Sequence, residues 1–302
     1  MRLSPADIDY LRAVVERHSG NRIDDSRDYL FESRLQQVLR SRDFSSFAEL
    51  LAALRSGHSA SLPQVVAQAM LVNETSFFRE SPAFGLLRTD LFPALIAARR
   101  STRRLRLWSA ACSSGQEVWS LAMMLREDFP QLAGWNIDIL GTDLSSEMIE
   151  RANGARYSES EVARGLPLRM LQRYFIRRGE EWEVSPEIRR LCHFQQRNLC
   201  AVPIWQETFD LILLRNVLLY FPQEARHRIL LAMHRSLAPD GALLLGLSEN
   251  SAMETHWQTV LTPAAVWYRP LASRPTRQPG SSAESLTESH TSRSLRDILK
   301  QA

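Results

Sequence analysis

The strongest constraint on this chain is a change of pattern near Arg103. From about Ser4 to Arg79 apolar residues recur at helical spacing, and no strand signal precedes Arg103. Ser4-Pro-Ala-Asp7 is a helix start, with a serine cap, proline in first position and an acid in the first turn. Leu11, Val14 and Val15 follow in register. A second helix is predicted over residues 26–41, with Leu30, Phe31, Leu35, Val38 and Leu39 on its apolar side and Arg27, Arg34 and Arg40 directed elsewhere. Further helices are predicted over residues 47–54 and 62–71.

Beyond Arg103 short apolar runs alternate with helical segments. Leu105-Arg-Leu-Trp108, Ile137-Asp-Ile-Leu140, residues 209–214, residues 242–245 and Val266-Trp-Tyr268 read as strands. Residues 116–126, 145–152 and 222–237 read as helices, and Pro239-Asp-Gly241 as a turn. Residues 209–214 are apolar nearly throughout, as suits a parallel strand covered on both faces. The alternation argues for an open α/β sheet. It lapses between Ala155 and Gln195, where charged pieces such as Trp182-Glu-Val184 and Cys192-His-Phe194 suggest a small inserted antiparallel β subdomain at about 156–195. After Leu271 the composition turns to Ser, Thr, Pro, Arg and Glu, which predicts a disordered tail over 272–302, with one or two helical turns at Leu295-Arg-Asp-Ile-Leu-Lys300. The expected division is a helical domain over 1–82, an α/β domain over 83–271, and the tail.

The bulk properties exclude little. The chain has 302 residues and a net charge of +3, with 44% hydrophobic and 24% charged residues. The pI near 9.0 suits an acidic protein surface as well as a nucleic acid, and no basic-aromatic stripe favours the latter. Cys112, Cys192 and Cys200 form no Cys-x-x-Cys pair, and three cysteines make no disulfide framework, so a reducing cytoplasm is expected. There is no apolar signal core at the start and no run long enough to span a bilayer, so no membrane insertion is expected.

Four segments carry the chemistry. After the first strand, Ala110, Ala111, Cys112, Ser113, Ser114 and Gly115 are all small, so backbone can approach a ligand closely beside a helix start. The turn is neither a dinucleotide fingerprint nor a P-loop, which disfavours a pyrophosphate. Glu117, in the next helical turn, suits a cationic ligand, or merely complements the helix dipole. Asp143 ends the second strand, where an acid accepts from ribose hydroxyls or caps the next helix. Asn198 offers donor and acceptor for an adenine edge. Arg215 and Asn216 close the apolar strand; either they face a ligand crevice or they terminate the strand. Asn73-Glu-Thr-Ser-Phe-Phe-Arg-Glu80 sets Asn73, Thr75 and Arg79 where the helical part meets the α/β part; Arg79 suits a carboxylate, and Phe77 and Phe78 suit a core.

Together with Trp108-Ser-Ala-Ala-Cys-Ser-Ser-Gly-Gln-Glu117, Gly141-Thr-Asp-Leu144, Asp210-Leu-Ile-Leu-Leu-Arg-Asn-Val217 and Gly246-Leu-Ser-Glu-Asn250, this segment resembles the chemotaxis receptor methyltransferase (CheR-like) family over about residues 6–269. The resemblance implies a Rossmann-like S-adenosylmethionine-dependent methyltransferase domain, with the donor at the carboxyl ends of the strands. Carried over by position, donor contacts fall on Asn73, Thr75, Arg79, Glu117, Asp143, Asn198, Leu199, Arg215 and Asn216, and Tyr220 matches a tyrosine near the methyl-transfer site. The implied reaction esterifies glutamate side chains in the cytoplasmic helical bundle of chemoreceptors and releases S-adenosylhomocysteine. Arg27, Arg34 and Arg40 are the expected basic face toward that glutamate-rich bundle, or else a solvated helix face. Two departures stand out. Gly115-Gln-Glu-Val-Trp-Ser120 keeps Glu117 where the family often has Gly-Glu-Glu-Pro-Tyr-Ser, and Gly246-Leu-Ser replaces a commoner Gly-His-Ser. Arg177-Arg-Gly-Glu-Glu181 is shorter than the loop with which relatives dock a receptor's C-terminal pentapeptide, so no such tether is expected. A monomer with no metal is expected. Alternatives are a methyltransferase for another acceptor, or a non-catalytic module that binds the donor and signals.

Overall fold

The structure is a computed structural model that describes residues 3–57, 59–201, 205, 208–249, 256–262 and 265–271. The predicted tail and its terminal helical turns lie outside the described residues.

Four helices open the chain: α1 (Pro5–Ser19), α2 (Tyr29–Ser41), α3 (Phe47–Ser56) and α4 (Leu62–Ala69). The Ser4 hydroxyl accepts from the Asp7 N–H at 3.2 Å, and the Asp7 carboxylate accepts from the Ser4 N–H at 3.3 Å, a reciprocal cap. Leu11, Phe31, Leu35, Leu50 and Val66 are fully buried together, so each apolar stripe faces one small core. The segment predicted to start the second helix at residue 26 is instead a 3-10 turn, Asp25–Arg27, capped by Asp24. Gly20 ends α1 with φ 79°; a Cβ there would lie 2.3 Å from Cys200 Sγ, so glycine lets the helical domain close on the α/β domain.

Helices α5 (Ser81–Leu86) and α6 (Phe92–Ala98), joined by a wide turn over Leu87–Leu91, lead into the sheet. Strands β1 (Arg104–Ala110) and β2 (Asn136–Asp143) flank α7 (Gln116–Asp128), whose residues from Gln116 to Leu125 are buried apart from Glu117, as a helix covered on most sides requires. Helix α8 (Ser146–Gly154) follows, with the Ser145 hydroxyl accepting from the Met148 N–H. The insert contains β3 (Arg156–Ser158), α9 (Glu159–Ala163), α10 (Leu168–Tyr174), β4 (Phe175–Arg178), β5 (Glu181–Val184) and α11 (Pro186–Arg189). Its strands form a separate antiparallel sheet in the order β3-β5-β4. The chain returns through β6 (Cys192–Gln196), β7 (Phe209–Leu214), α12 (Gln223–Ser236), β8 (Leu237–Leu245), β9 (Trp257–Leu261) and β10 (Val266–Pro270).

The main sheet has the order β6-β2-β1-β7-β8-β10-β9; β6 to β8 are parallel neighbours, and β10 joins antiparallel. This corrects two expectations. Cys192-His-Phe194 belongs to the main sheet, not to the insert: it pairs parallel with β2, Leu140 opposite His193. Its polar character is that of an edge strand, and periodicity does not say which sheet an edge joins. Pro239-Asp-Gly241 is no turn but lies inside β8, where the register shifts between Phe209 and Leu211. Proline fits there because a bulge frees it from the ladder. Strand β9 carried no recognised signal. Order reverses between β1 and β7, so the crevice at the carboxyl ends of β1, β2 and β7 is where such a sheet binds ligands.

Candidate functional site

A cavity opens at that crevice. Asn73, Thr75, Arg79, Glu117, Asp143, Asn198, Leu199, Arg215, Asn216 and Tyr220 all line it, drawn together from five separate stretches of chain. Ser19 and Asn21 line it from the helical domain.

The turn after β1 is built tightly. Ala111, Ser113 and Gly115 all have positive φ, at 62°, 51° and 93°. Small side chains make this conformation tolerable. The Ser113 N–H donates to Asp143 Oδ2 at 2.8 Å, and its hydroxyl donates to the Asn73 carbonyl at 2.8 Å. The turn therefore fixes the β2 end and the 73–80 segment at once.

Asp143 is buried, with 8% of its surface exposed. Its other oxygen accepts from the Ser145 N–H at 2.9 Å. Burial raises its carboxyl above the ordinary aspartate range, and the N–H groups of Ser145 and Ser113 only partly offset this. An ionised carboxylate has about four acceptor positions, so about two remain for a ligand.

Arg215 is the centre of a buried ion network. Its Nη1 donates to Glu117 Oε2 at 2.6 Å, and Nη2 to the Arg79 carbonyl at 2.6 Å and Glu80 Oε2 at 3.0 Å. Glu117 also accepts from the Ser109 hydroxyl at 2.8 Å. Glu80 also accepts from the Asn216 side chain at 2.8 Å. Burial raises Glu80, but the Asn216 amide and the Arg215 charge outweigh it, leaving the carboxyl below the usual range. Glu249 is buried and accepts from the N–H groups of Gly246, Asn216, Val217 and Leu218 at 2.7 to 3.0 Å. It holds the chain after β7 in the shape that leads to Tyr220, on the 3-10 turn Leu218–Tyr220. Asn216 sits at φ 56° within this hold.

Glu80 and Glu249 were missed as site residues. Glu80 closes one quoted motif and Glu249 stands next to last in another; for Glu80, a buried Arg215 needs an acidic partner, which was the available signal. The remaining assignments divide. Arg79 is half-buried at the cavity wall, with Nη1 on the Glu74 carbonyl at 2.8 Å. Asn198 spends Nδ2 on the His18 carbonyl at 3.1 Å and accepts from the Cys200 N–H at 2.8 Å, so its amide ties the two domains and keeps one N–H and one lone pair over. Leu199 is a buried apolar wall. Arg27 and Arg40 are exposed. Arg34 does not share a basic face with them: its Nη1 donates to the carbonyls of Met70 and Leu71 at 2.8 and 2.7 Å, capping the end of α4.

The lining fits a ligand with S-adenosylmethionine's groups: an acid with spare lone pairs in Asp143, an apolar wall at Leu199 beside the Asn198 amide, and the Glu117 carboxylate held by Arg215. The buried Arg215 Nε also has no hydrogen-bond partner among the described residues. Among the described residues no group of acidic, histidine or cysteine side chains is arranged to hold a metal, and no helix is long and apolar enough to cross a membrane.

Known proteins match throughout. A family model described as the CheR methyltransferase SAM binding domain matches residues 73–266, and one described as the CheR methyltransferase all-alpha domain matches residues 6–70. Chemotaxis protein methyltransferase 1 of Pseudomonas aeruginosa is 36% identical over 275 residues, 89% of this chain and 99% of its own. Chemotaxis protein methyltransferase Cher2 of Pseudomonas putida is 34% identical, over 87% of this chain and 97% of its own. Chemotaxis protein methyltransferase 1 of Vibrio cholerae is 34% identical, over 78% and 86%. The chain belongs to the CheR methyltransferase family, as an S-adenosylmethionine-dependent methyltransferase.

Proposed function

We propose that the protein methylates glutamate side-chain carboxylates in the cytoplasmic helical bundle of chemoreceptors, giving methyl esters and S-adenosylhomocysteine. The observation that carries this reading is the lack of a free buried base among the described cavity residues; the remaining acid of the lining, Glu74, is exposed and pairs with Arg164 at 4.0 Å. Glu117 is locked to Arg215, and Asp143 is held by two N–H groups. Burial pushes the Cys112 thiol well up, so it stays protonated. An alcohol or amine acceptor needs such a base. A glutamate, with a reference pKa of about 4.3, is already an anion near neutral pH.

The donor, when bound, supplies a methyl group activated on a positively charged sulfur. The chain's own residues position and shield. Asp143 keeps lone pairs for the ribose hydroxyls, Leu199 and the spare Asn198 N–H meet the adenine, and Glu117 faces the amino end. Asn73 and Thr75 complete the wall, while Arg215 and Asn216 act through Glu117 and Glu80 to hold it. Arg79 takes a carboxylate, that of the donor or of the acceptor, and Tyr220 stands at the entrance. Alignment and exclusion of water then supply the rate.

Arg27 and Arg40 remain the exposed candidates for receptor recognition from α2 and the turn before it. Strands β4 and β5 are joined through Gly179 and Glu180, with Gly179 at φ 62°. This short connection supports recognition without a pentapeptide tether; micromolar binding of such a peptide in calorimetry would contradict it. We place the enzyme in the cytoplasm as a monomer.

The test is transfer of labelled methyl from S-adenosylmethionine to chemoreceptor-bearing membranes. Label released as methanol by mild base identifies carboxyl esters and is expected. Base-resistant label refutes the carboxylate acceptor.

A further inference from the structure

A second, open groove lies beside the donor cavity, and Tyr220 and Phe221 line both. The groove has walls from each domain. Arg22 and Arg27 come from the segment after α1, and Arg228 from α12. The Arg22 N–H donates to the Tyr220 carbonyl at 2.8 Å, so the helical domain is pinned to the turn that carries Tyr220. On that turn Leu219 is 42% exposed, an apolar residue offered to the groove rather than to the core.

The charge of the groove is unspent. Most arginines of the described chain are committed to carboxylates or carbonyls, including Arg226, which donates to the Phe221 carbonyl at 2.7 Å. Arg22, Arg27 and Arg228 are exposed, and no ion pair holds them among the described residues. The carboxylates nearby are mostly committed. Asp24 accepts from the Ser26 N–H at 3.0 Å, and Glu249 is enclosed by its four N–H groups. Glu224 is left as the free acid of the rim among the described residues.

We infer that this groove is the dock for the acceptor helix: an acidic amphipathic receptor helix lies between Arg22 and Arg228, sets an apolar residue on Leu219, and sends one glutamate past Tyr220 into the donor cavity. The inference rests on the proposed acceptor and adds to it the surface that presents it. Exposed guanidiniums give steering and register more than raw affinity, and salt screens them within about 8 Å at physiological ionic strength. Leu219 supplies the desolvated contact between them. Tyr220 and Phe221 form a wall common to dock and reaction cavity, so a side chain need only pass that wall.

The experiment is steady-state methylation of receptor-bearing membranes by wild type and by the Arg22→Glu/Arg228→Glu double variant, with S-adenosylhomocysteine affinity measured alongside by calorimetry. The expected result is a receptor KM raised roughly tenfold, kcat and product affinity unchanged, and a difference that shrinks in high salt. Leu219→Asp, which alters no arginine, is expected to raise KM as well. Normal wild-type transfer with an unchanged KM in both variants overturns the groove assignment alone. Parallel loss of product affinity also overturns it, by locating the damage in the fold. A wild type that esterifies no receptor overturns the proposed acceptor, and the dock with it. A concentration-dependent dimer that the double variant abolishes gives the groove to a second copy and refutes the receptor helix.

Discussion

Replacing Arg215 by methionine probes the network on which the whole cavity wall depends. The Arg215 side chain is 1% exposed, while Glu117 and Glu80 are 14% and 19% exposed. Removing one member of a buried ion pair typically costs about 3–5 kcal/mol, because the remaining charge is left uncompensated. Here two carboxylates are stranded. Against this, Arg215 Nε has no hydrogen-bond partner among the described residues, and losing a buried unpaired donor returns about 1 kcal/mol. The expected net loss is about 2–4 kcal/mol at neutral pH, read by urea unfolding with an unchanged denaturant slope. The sign with pH is fixed. In wild type Glu80 lies below the usual carboxylate range, so it contributes stability above the unfolded value of about 4.3, lost as pH falls through the folded value. Without the arginine, burial and the facing Glu117 raise Glu80 instead. A raised carboxylate loses stability as pH climbs above about 4.3. The deficit should therefore be small in mild acid and full by neutral pH. A loss under about 1 kcal/mol, or one independent of pH, refutes the idea that Arg215 acts mainly by neutralising these two acids.

Other expectations follow from single residues. Asp143→Ala removes the acceptor proposed for two ribose hydroxyls, and S-adenosylhomocysteine affinity measured by calorimetry should fall by about a hundredfold, at about 1.5 kcal/mol per charged hydrogen bond. Because burial raises Asp143, wild-type affinity should already decline on acidification at a pH where a solvated aspartate stays ionised. Arg34→Ala should cost about 1–3 kcal/mol in thermal unfolding by freeing the Met70 and Leu71 carbonyls, whereas Arg40→Ala should change stability little. Gly165→Ala should destabilise by about 1–3 kcal/mol, since φ is +94° and a Cβ would stand 2.1 Å from the Phe77 carbonyl oxygen. Wild-type stability in Gly165→Ala would show that the 73–80 segment is not held there.

What the sequence made legible was set by locality. Strand β7, Phe209–Leu214, is readable to the residue because its apolar run ends at the polar pair Arg215-Asn216. The cavity residues were readable because each follows a strand or belongs to one short motif, and sheet topology then brings strand ends together. Contacts across long separations were not readable. Glu80 reaches Arg215 over 135 positions, and the need for an acid does not say which acid answers. Arg34 was misplaced for a related reason: helical spacing sets it off the apolar stripe but does not reveal that the end of α4 lies within reach of its guanidinium. Asn198 likewise holds His18, 180 positions away, a duty that no motif announces. Edge strands such as β6 and β9 are short and polar enough that only the completed sheet identifies them.

The most direct test of the account is peptide mass spectrometry of chemoreceptors incubated with S-adenosylmethionine and either wild type or Asp143→Ala enzyme. The account predicts methyl groups on glutamate side chains of the receptor's helical bundle with wild type, erased by mild base and absent with the variant. Methylation of another residue type, or glutamate esters that persist undiminished with Asp143→Ala, would contradict it.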